Sequence, residues 1–247
     1  MSSTLPVNWQ DELAKQARDV AALERPSVSN INIRGGVMLY QNQPVPGNRM
    51  QVIILQHSFL RRYYSKKFNP QEIQSPDCFS ISLTGEDMRP HENITNPINP
   101  TCDDCPFNQW GSDKEGQSGK GKKCKESRRF AMIPASSLEA GNVRKAEMAV
   151  LSIPATSIKN WSNYVNAVAA EFQRPPFAVI TEVSLVPNPR TQFEIKFDYR
   201  GSVKEEHLGD VYARVDNAIR VLEQPYEEPG SEKQETPPAS DGKKKKY

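Results

Sequence analysis

The chain has no run approaching the roughly 18 consecutive apolar residues that a membrane span requires, which reads as a soluble protein with no membrane partner. It has only four cysteines and three histidines in 247 residues. Residues 1–25 contain no apolar stretch of signal-peptide length, so the expected setting is the cytoplasm, where thiols are not paired into disulfides. His57, His91 and His207 have no nucleophile beside them, and no Asp/Glu cluster resembles a metal-dependent nuclease or a general acid/base pair. A non-enzymatic role is expected. Charge of one sign is also missing: 32 Lys and Arg stand against 30 Asp and Glu, so local segregation of charge says more than the net +2. A hydrophobic content of 36% is low for a chain of this length, and part of it is expected to lie outside any core.

What the chain does have is Cys102-x2-Cys105-x18-Cys124, with Cys78 a short loop upstream. A two-residue gap lets both thiolates of a knuckle face one ion, and Zn²⁺ accepts four sulfurs in a tetrahedron of about 2.3 Å bonds. We expect one zinc held by Cys78, Cys102, Cys105 and Cys124, with His91 the alternative to Cys78, and an ordinary buried thiol the bland reading of Cys78. A closed four-thiolate site leaves no coordination position for a substrate, so this zinc would be structural. From Trp110 to Arg129 the sequence carries Lys114, Lys120, Lys122, Lys123, Lys125, Arg128 and Arg129 against Asp113, Glu115 and Glu126, with four glycines between. The pattern is a basic loop pinned by a metal, an insertion at about residues 76–128.

Residues 1–26 read as an N-terminal helix, with Trp9, Leu13, Ala17, Val20 and Ala21 at helical spacing and Pro26 ending it. Short β-prone runs follow at Asn30 to Arg34, Val37 to Tyr40 and Met50 to Leu55, punctuated by Gly35-Gly36 and Pro46-Gly47-Asn48. The stretch from Asn69 to Asn108 is rich in Pro, Asn, Asp, Ser and Thr and reads as a loop. Strands are expected again at Arg129 to Ile133, Glu147 to Ile153, Ala178 to Leu185 and Gln192 to Tyr199. A helix capped by Thr156 or Ser157 presents Trp161, Tyr164, Val165, Val168 and Phe172 on one face, and a last helix opens at a capping box, Ser202-Val203-Lys204-Glu205. Residues 27–224 are thus a core domain, mainly β or α+β, expected as an OB-like Greek-key barrel with peripheral helices. Residues 225–247, of Pro, Glu, Ser, Gln, Gly and Lys, have the composition of a disordered tail.

Gly116-x4-Gly121-Lys122 matches most of a phosphate loop, but Lys123 replaces the Ser or Thr that would hold Mg²⁺. The sequons at Asn93 and Asn160 are chance matches without a secretory signal. Nucleic acid explains more. Arg61, Arg62, Tyr63, Tyr64, Lys66 and Lys67 interleave cations with rings after an apparent strand, and single strands are bound by positive charge along the backbone and rings beneath the bases. Lys120, Lys122, Lys123, Lys125, Arg128 and Arg129 form a second basic surface, with Trp110 as a further ring. For any individual ring, the edge of a core is an equally good reading.

Pro76-Asp77-Cys78, the segment from Cys102 to Ser112, Gly119 to Cys124 and Ile153 to Ser157 together resemble a group of bacteriophage-encoded proteins of replication and single-stranded DNA binding. More broadly the design is similar to the phage helix-destabilising proteins, OB-fold binders with an inserted zinc subdomain. The resemblance implies single-stranded DNA binding with little sequence preference in phage DNA replication or recombination, inside the host cytoplasm. It also implies contacts with replication or recombination proteins through the C-terminal tail. Two features depart from that pattern: those proteins use a His ligand at tighter spacing, and they end in an acidic tail, whereas this chain has Lys243 to Lys246. The alternatives are a phage structural or assembly protein with a zinc-braced subunit contact, and a zinc-ribbon regulator that binds duplex DNA.

Overall fold

Met50-Gln51-Val52-Ile53-Ile54-Leu55 has apolar residues at both parities, so a strand built from it must be buried on both faces. The computed structural model describes residues 28–66, 74–116 and 119–225, with Trp9, Glu12, Leu13, Lys15 and Gln16 as helical positions. In it Val52 and Ile54 join one core with Phe130, Met132, Leu151 and Ile153, while Ile53 and Leu55 join a second with Ala131, Ile133 and Val150. The strand that carries them, β4 (Arg49–Tyr63), is the spine of the sheet.

Around it stand β1 (Val28–Arg34), β2 (Val37–Tyr40), β3 (Gln43–Pro44), β5 (Cys78–Ser82), β6 (Lys125–Pro134), β7 (Met148–Pro154), β8 (Val179–Asn188) and β9 (Gln192–Ser202). Their order is β3-β2-β1-β7-β6-β4-β8-β9, with β5 also on β4. Pairing is antiparallel except between β1 and β7. On one edge of β4, Arg49 to Val52 pair with β8 and Phe59 to Tyr63 pair with β5; β6 runs along the other edge from Val52 to Arg62. The register shifts between Ile54 and Gln56, a bulge of the kind that bends a strand and increases its twist. The near half of β4 belongs to the core, the far half to the lobe that holds the cysteines.

Four helices complete the described fold: α1 (Ser136–Glu139), α2 (Ala155–Phe172), α3 (Glu205–Tyr212) and α4 (Val215–Glu223). Trp161, Tyr164 and Val168 of α2 fill the hollow of the sheet against Phe130, Ile195 and Phe197. Val211, Ala218, Val221 and Leu222 of α3 and α4 cover the opposite face. The sheet curls far enough that Gly36, at φ 76 between β1 and β2, lies against Phe193 at the start of β9. Among the described residues β3 and β9 share no ladder, so the fold is mainly β with a curled open sheet, half of a barrel, and a few helices. The edge at β9 is covered by α2: Ser157 Oγ accepts the Ile195 N–H at 3.0 Å, and Asn160 Nδ2 donates to the Ile195 carbonyl at 2.9 Å. A covered edge cannot template pairing with another chain there.

Several local expectations are corrected. Arg61 to Tyr63 lie within β4 rather than after it, and β5 crosses the stretch read as loop. Ser157 does not cap α2, whose N-cap is Pro154, because its hydroxyl is engaged with β9. Ser202 belongs to β9, so no capping box forms and Lys204 stands at the N-cap of α3. The last helix is two, broken at Ala213 and Arg214, where the Arg214 guanidinium donates to the carbonyls of Val143, Arg144 and Ala146 at 2.7–2.9 Å. Of the N-terminal helix, only the five positions named above are described, with Gln16 Nε2 donating to Glu12 Oε1 one turn back. The rest of it, Lys67, and the tail beyond Pro225 lie outside the described residues. No helix among the described residues is long and apolar enough to cross a membrane.

Candidate metal centre and nucleic-acid interface

The four cysteines come from three places in the chain. Cys78 opens β5 opposite Tyr63, Cys124 immediately precedes β6, and Cys102 and Cys105 flank a turn that leads into the short helical turn Pro106–Asn108. All four are free and line one small apolar cavity, together with Arg61, Tyr63, Phe79, Ile98, Phe107 and Asn108. Its volume is about 20 Å³, room for a guest the size of one water or one ion. Backbone bonds hold the knuckle: Cys102 N–H donates to Met88 O at 2.9 Å, Cys105 N–H to Cys102 O at 3.4 Å, and Cys124 N–H to Phe107 O at 2.9 Å. The buried Asn108 side chain adds a 2.8 Å bond from Nδ2 to the Cys102 carbonyl.

Burial, then the neighbouring Cys102, Cys105 and Cys78, pushes the Cys124 thiol up to about 12, with Arg61 opposing. Burial also raises Cys78, with Cys102, Cys105 and Asp77 adding to it and a backbone hydrogen bond from Ile98 acting the other way. The thiols are therefore mutual electrostatic neighbours in a poorly solvated spot, where a divalent cation would relieve the repulsion between thiolates. Among the described residues no group of three or more His, Cys, Asp and Glu side chains stands in metal-holding geometry. What converges here is four thiols on a cavity, not four ligands on an ion. As a donor set they fit Zn²⁺, a soft-tolerant ion that takes four sulfurs. His91 stacks on Phe79 at 4.7 Å, accepts the Asn93 N–H at Nδ1, and does not line the cavity.

The strands bring the two basic segments together. Arg62 of β4 is the direct cross-strand partner of Lys125 of β6, and Arg61 of Glu126. The individual cations then divide by environment. Arg61, 15% exposed, bonds Asp103 at 2.9 Å and stands 3.7 Å from Glu126, tying the knuckle to the sheet. Arg129 is buried at 5% and donates to the carbonyls of Leu222 and Gln224 at the end of α4, so it serves the fold. The Arg128 guanidinium lies 3.8 Å over the Phe59 ring. Lys125 pairs with Asp113 at 2.6 Å, and Lys123 stands 5.3 Å over Phe107. Lys122 reaches Asn108 Oδ1 and Glu126 Oε1, each at 3.2 Å, and sits 5.2 Å from the centre of the Trp110 ring. Lys66 and Lys120 are exposed.

The rings divide in the same way. Tyr63 packs on Phe107 at 4.6 Å and belongs to the wall of the thiol cavity; Tyr64 is half-buried. Trp110 is 79% exposed, a large apolar surface that the fold leaves in water. Asp103, Phe107 and Asn108 are the residues that sequence reasoning missed; with Asp113 and Glu126, the acids of the basic loop, they are the partners that orient the cations. His57 is held among Phe59, Phe130 and Trp161 at 5.4–5.9 Å, and burial, with Arg128 nearby, lowers it to about 4. No family model, curated protein or solved structure matches the chain.

Proposed function

We propose that this protein binds single-stranded DNA with little sequence preference and works stoichiometrically, in phage replication or recombination, with one structural zinc on Cys78, Cys102, Cys105 and Cys124. The observation that carries the reading is the exposed Trp110 ring on the lobe that holds the four cysteines, backed by Lys122, in a fold whose β4 and β6 also pair Arg62 with Lys125 across the ladder. An exposed ring gains from a base only when that base is unstacked, so the combination favours single strands over duplex. A curled sheet with an inserted lobe also accords with an OB-like ancestry, proposed on curvature alone, since closure of a barrel is not part of it. Lys66, Lys120, Lys123 and Arg62 are the residues proposed to meet phosphates. Zinc would hold the loop from Thr101 to Cys124 against β4 and β5, and the chain's own residues would do the binding.

The test is fluorescence anisotropy with oligo-dT, oligo-U and duplex at two salt concentrations. Tight oligo-dT binding that duplex does not compete away, with log affinity falling by about 0.7 per phosphate contact per decade of salt, supports the reading. Absence of binding at low salt, or equal competition by duplex, ends it.

A further inference from the structure

Asn108 is an uncharged residue buried at 7% between two functions that the fold keeps apart, the thiol cavity and the exposed indole. Its backbone N–H donates to the Cys105 carbonyl at 3.0 Å and its Nδ2 to the Cys102 carbonyl at 2.8 Å, so its main chain and the nitrogen of its side-chain amide are both fixed on the knuckle. Its remaining oxygen, Oδ1, accepts from Lys122 Nζ at 3.2 Å. That ammonium is shared with Glu126 at 3.2 Å and stands 5.2 Å from the Trp110 ring. Glu126 continues to Arg61, and Arg61 to Asp103, the residue after Cys102. The contacts close a ring that starts and ends on the knuckle and passes beneath the indole.

We propose that Asn108 is a positioning residue that couples the state of the thiol cluster to the pose of Trp110, and that Lys122 backs the indole ring instead of contacting phosphate. The inference rests on the reading above that the lobe presents Trp110 to single-stranded DNA. An ammonium under a ring is attracted by the ring's negative face and fixes its orientation. The opposite face of Trp110 is then held ready for a base, at less ordering cost on binding than a freely rotating side chain would carry. If the knuckle shifts, Asn108 moves with it and Lys122 keeps only Glu126 of its two acceptors, which frees the ammonium to leave its place under the ring.

Full-length protein labelled with 5-fluorotryptophan gives one ¹⁹F signal each for Trp9, Trp110 and Trp161, with Trp110→Phe assigning the middle one of the sequence. Asn108→Ala should keep the wild-type zinc content, move the Trp110 signal to where it stands in chelator-treated wild type, and weaken oligo-dT binding by about tenfold. Asn108→Asp keeps an acceptor for Lys122 but loses the Nδ2 donor to the Cys102 carbonyl, so its Trp110 signal should stay nearer the wild-type position than that of Asn108→Ala and no longer move on chelator treatment. Lys122→Met should weaken binding with the salt slope unchanged, since no phosphate contact is lost. An unmoved Trp110 signal in Asn108→Ala overturns the coupling, and a salt slope reduced by about 0.7 in Lys122→Met overturns the backing role. If wild type carries no zinc, the metal reading falls, and the Trp110 signal of Asn108→Ala against untreated wild type still decides the link. If no oligonucleotide binds, the function falls while the spectra still report the coupling.

Discussion

Lowering the pH from 7.5 to 4.5 should destabilise this protein mainly through His57. The imidazole lies between β4, β6 and α2, faced by Phe59, Phe130 and Trp161, and Arg128 is the charged group acting on it. Folding lowers its pKa from 6.5 to about 4, burial first and Arg128 second. The unfolded chain therefore binds a proton that the folded one refuses, and stability rises with pH across that window. Its contribution is complete above pH 6.5 and is lost as the pH falls toward 4. At about 1.4 kcal/mol per pH unit the loss reaches up to about 3 kcal/mol. Asp113 and Glu182 also have lowered pKa values, from the hydrogen bonds of Lys125 and Arg200, but both start below 5 and act beneath most of this window. Urea unfolding followed by tryptophan fluorescence, Trp161 being 5.4 Å from His57, measures the effect at half-unit steps. His57→Phe should flatten the profile between pH 6.5 and 4.5 whatever its effect at pH 7.5. An unchanged slope in that variant would refute the assignment.

Three further outcomes are expected. Cys102→Ser should lose the zinc by elemental analysis while the far-ultraviolet circular dichroism of the sheet survives, because both cores lie on the other half of β4; wild-type metal content in the variant would count against the four-thiol site. Gly36→Ala should cost about 2 kcal/mol or more in chemical denaturation, since φ is 76 and the new Cβ would stand 2.2 Å from the Phe193 ring; a change under 0.5 kcal/mol would show that β9 yields freely. Arg129→Met should cost about 2–4 kcal/mol by leaving the Leu222 and Gln224 carbonyls without their donor, and should leave oligonucleotide affinity within twofold; a large affinity loss would return Arg129 to the binding surface.

The strands of the core were legible because glycine and proline turns bracket apolar runs, and α2 because its apolar positions recur at helical spacing. The knuckle was legible from its gap of two. β5 was not, since Cys78-Phe79-Ser80-Ile81-Ser82 is half polar and its partner is the charged end of β4. The division among the cations was open to the period of two along a strand: Arg61 and Arg62 point to opposite faces, as do Arg128 and Arg129. One of the latter lies on Phe59 and the other is buried against α4. Which parity faced inward depended on the bulge at Ile54 and Gln56, and a single extra residue there has no signature in composition. Asp103 lies far off in sequence from Arg61, whereas Glu126 and Asp113 lie within the basic loop itself but engage Lys122 and Lys125 there, so charge counting along the chain overstated how many cations face solvent.

Because β4 passes without a break from the core into the thiol lobe, the lobe has no boundary at which it can be cut out. Arg61 and Tyr63 wall the thiol cavity from a strand that begins at Arg49. A graft of residues 76–128 onto another scaffold would arrive without that wall, and an excised peptide of the same span would lack the surface on which Phe107 seats. The segment is contiguous in sequence but not self-contained in the fold: its transplantable unit includes the strand it leans on.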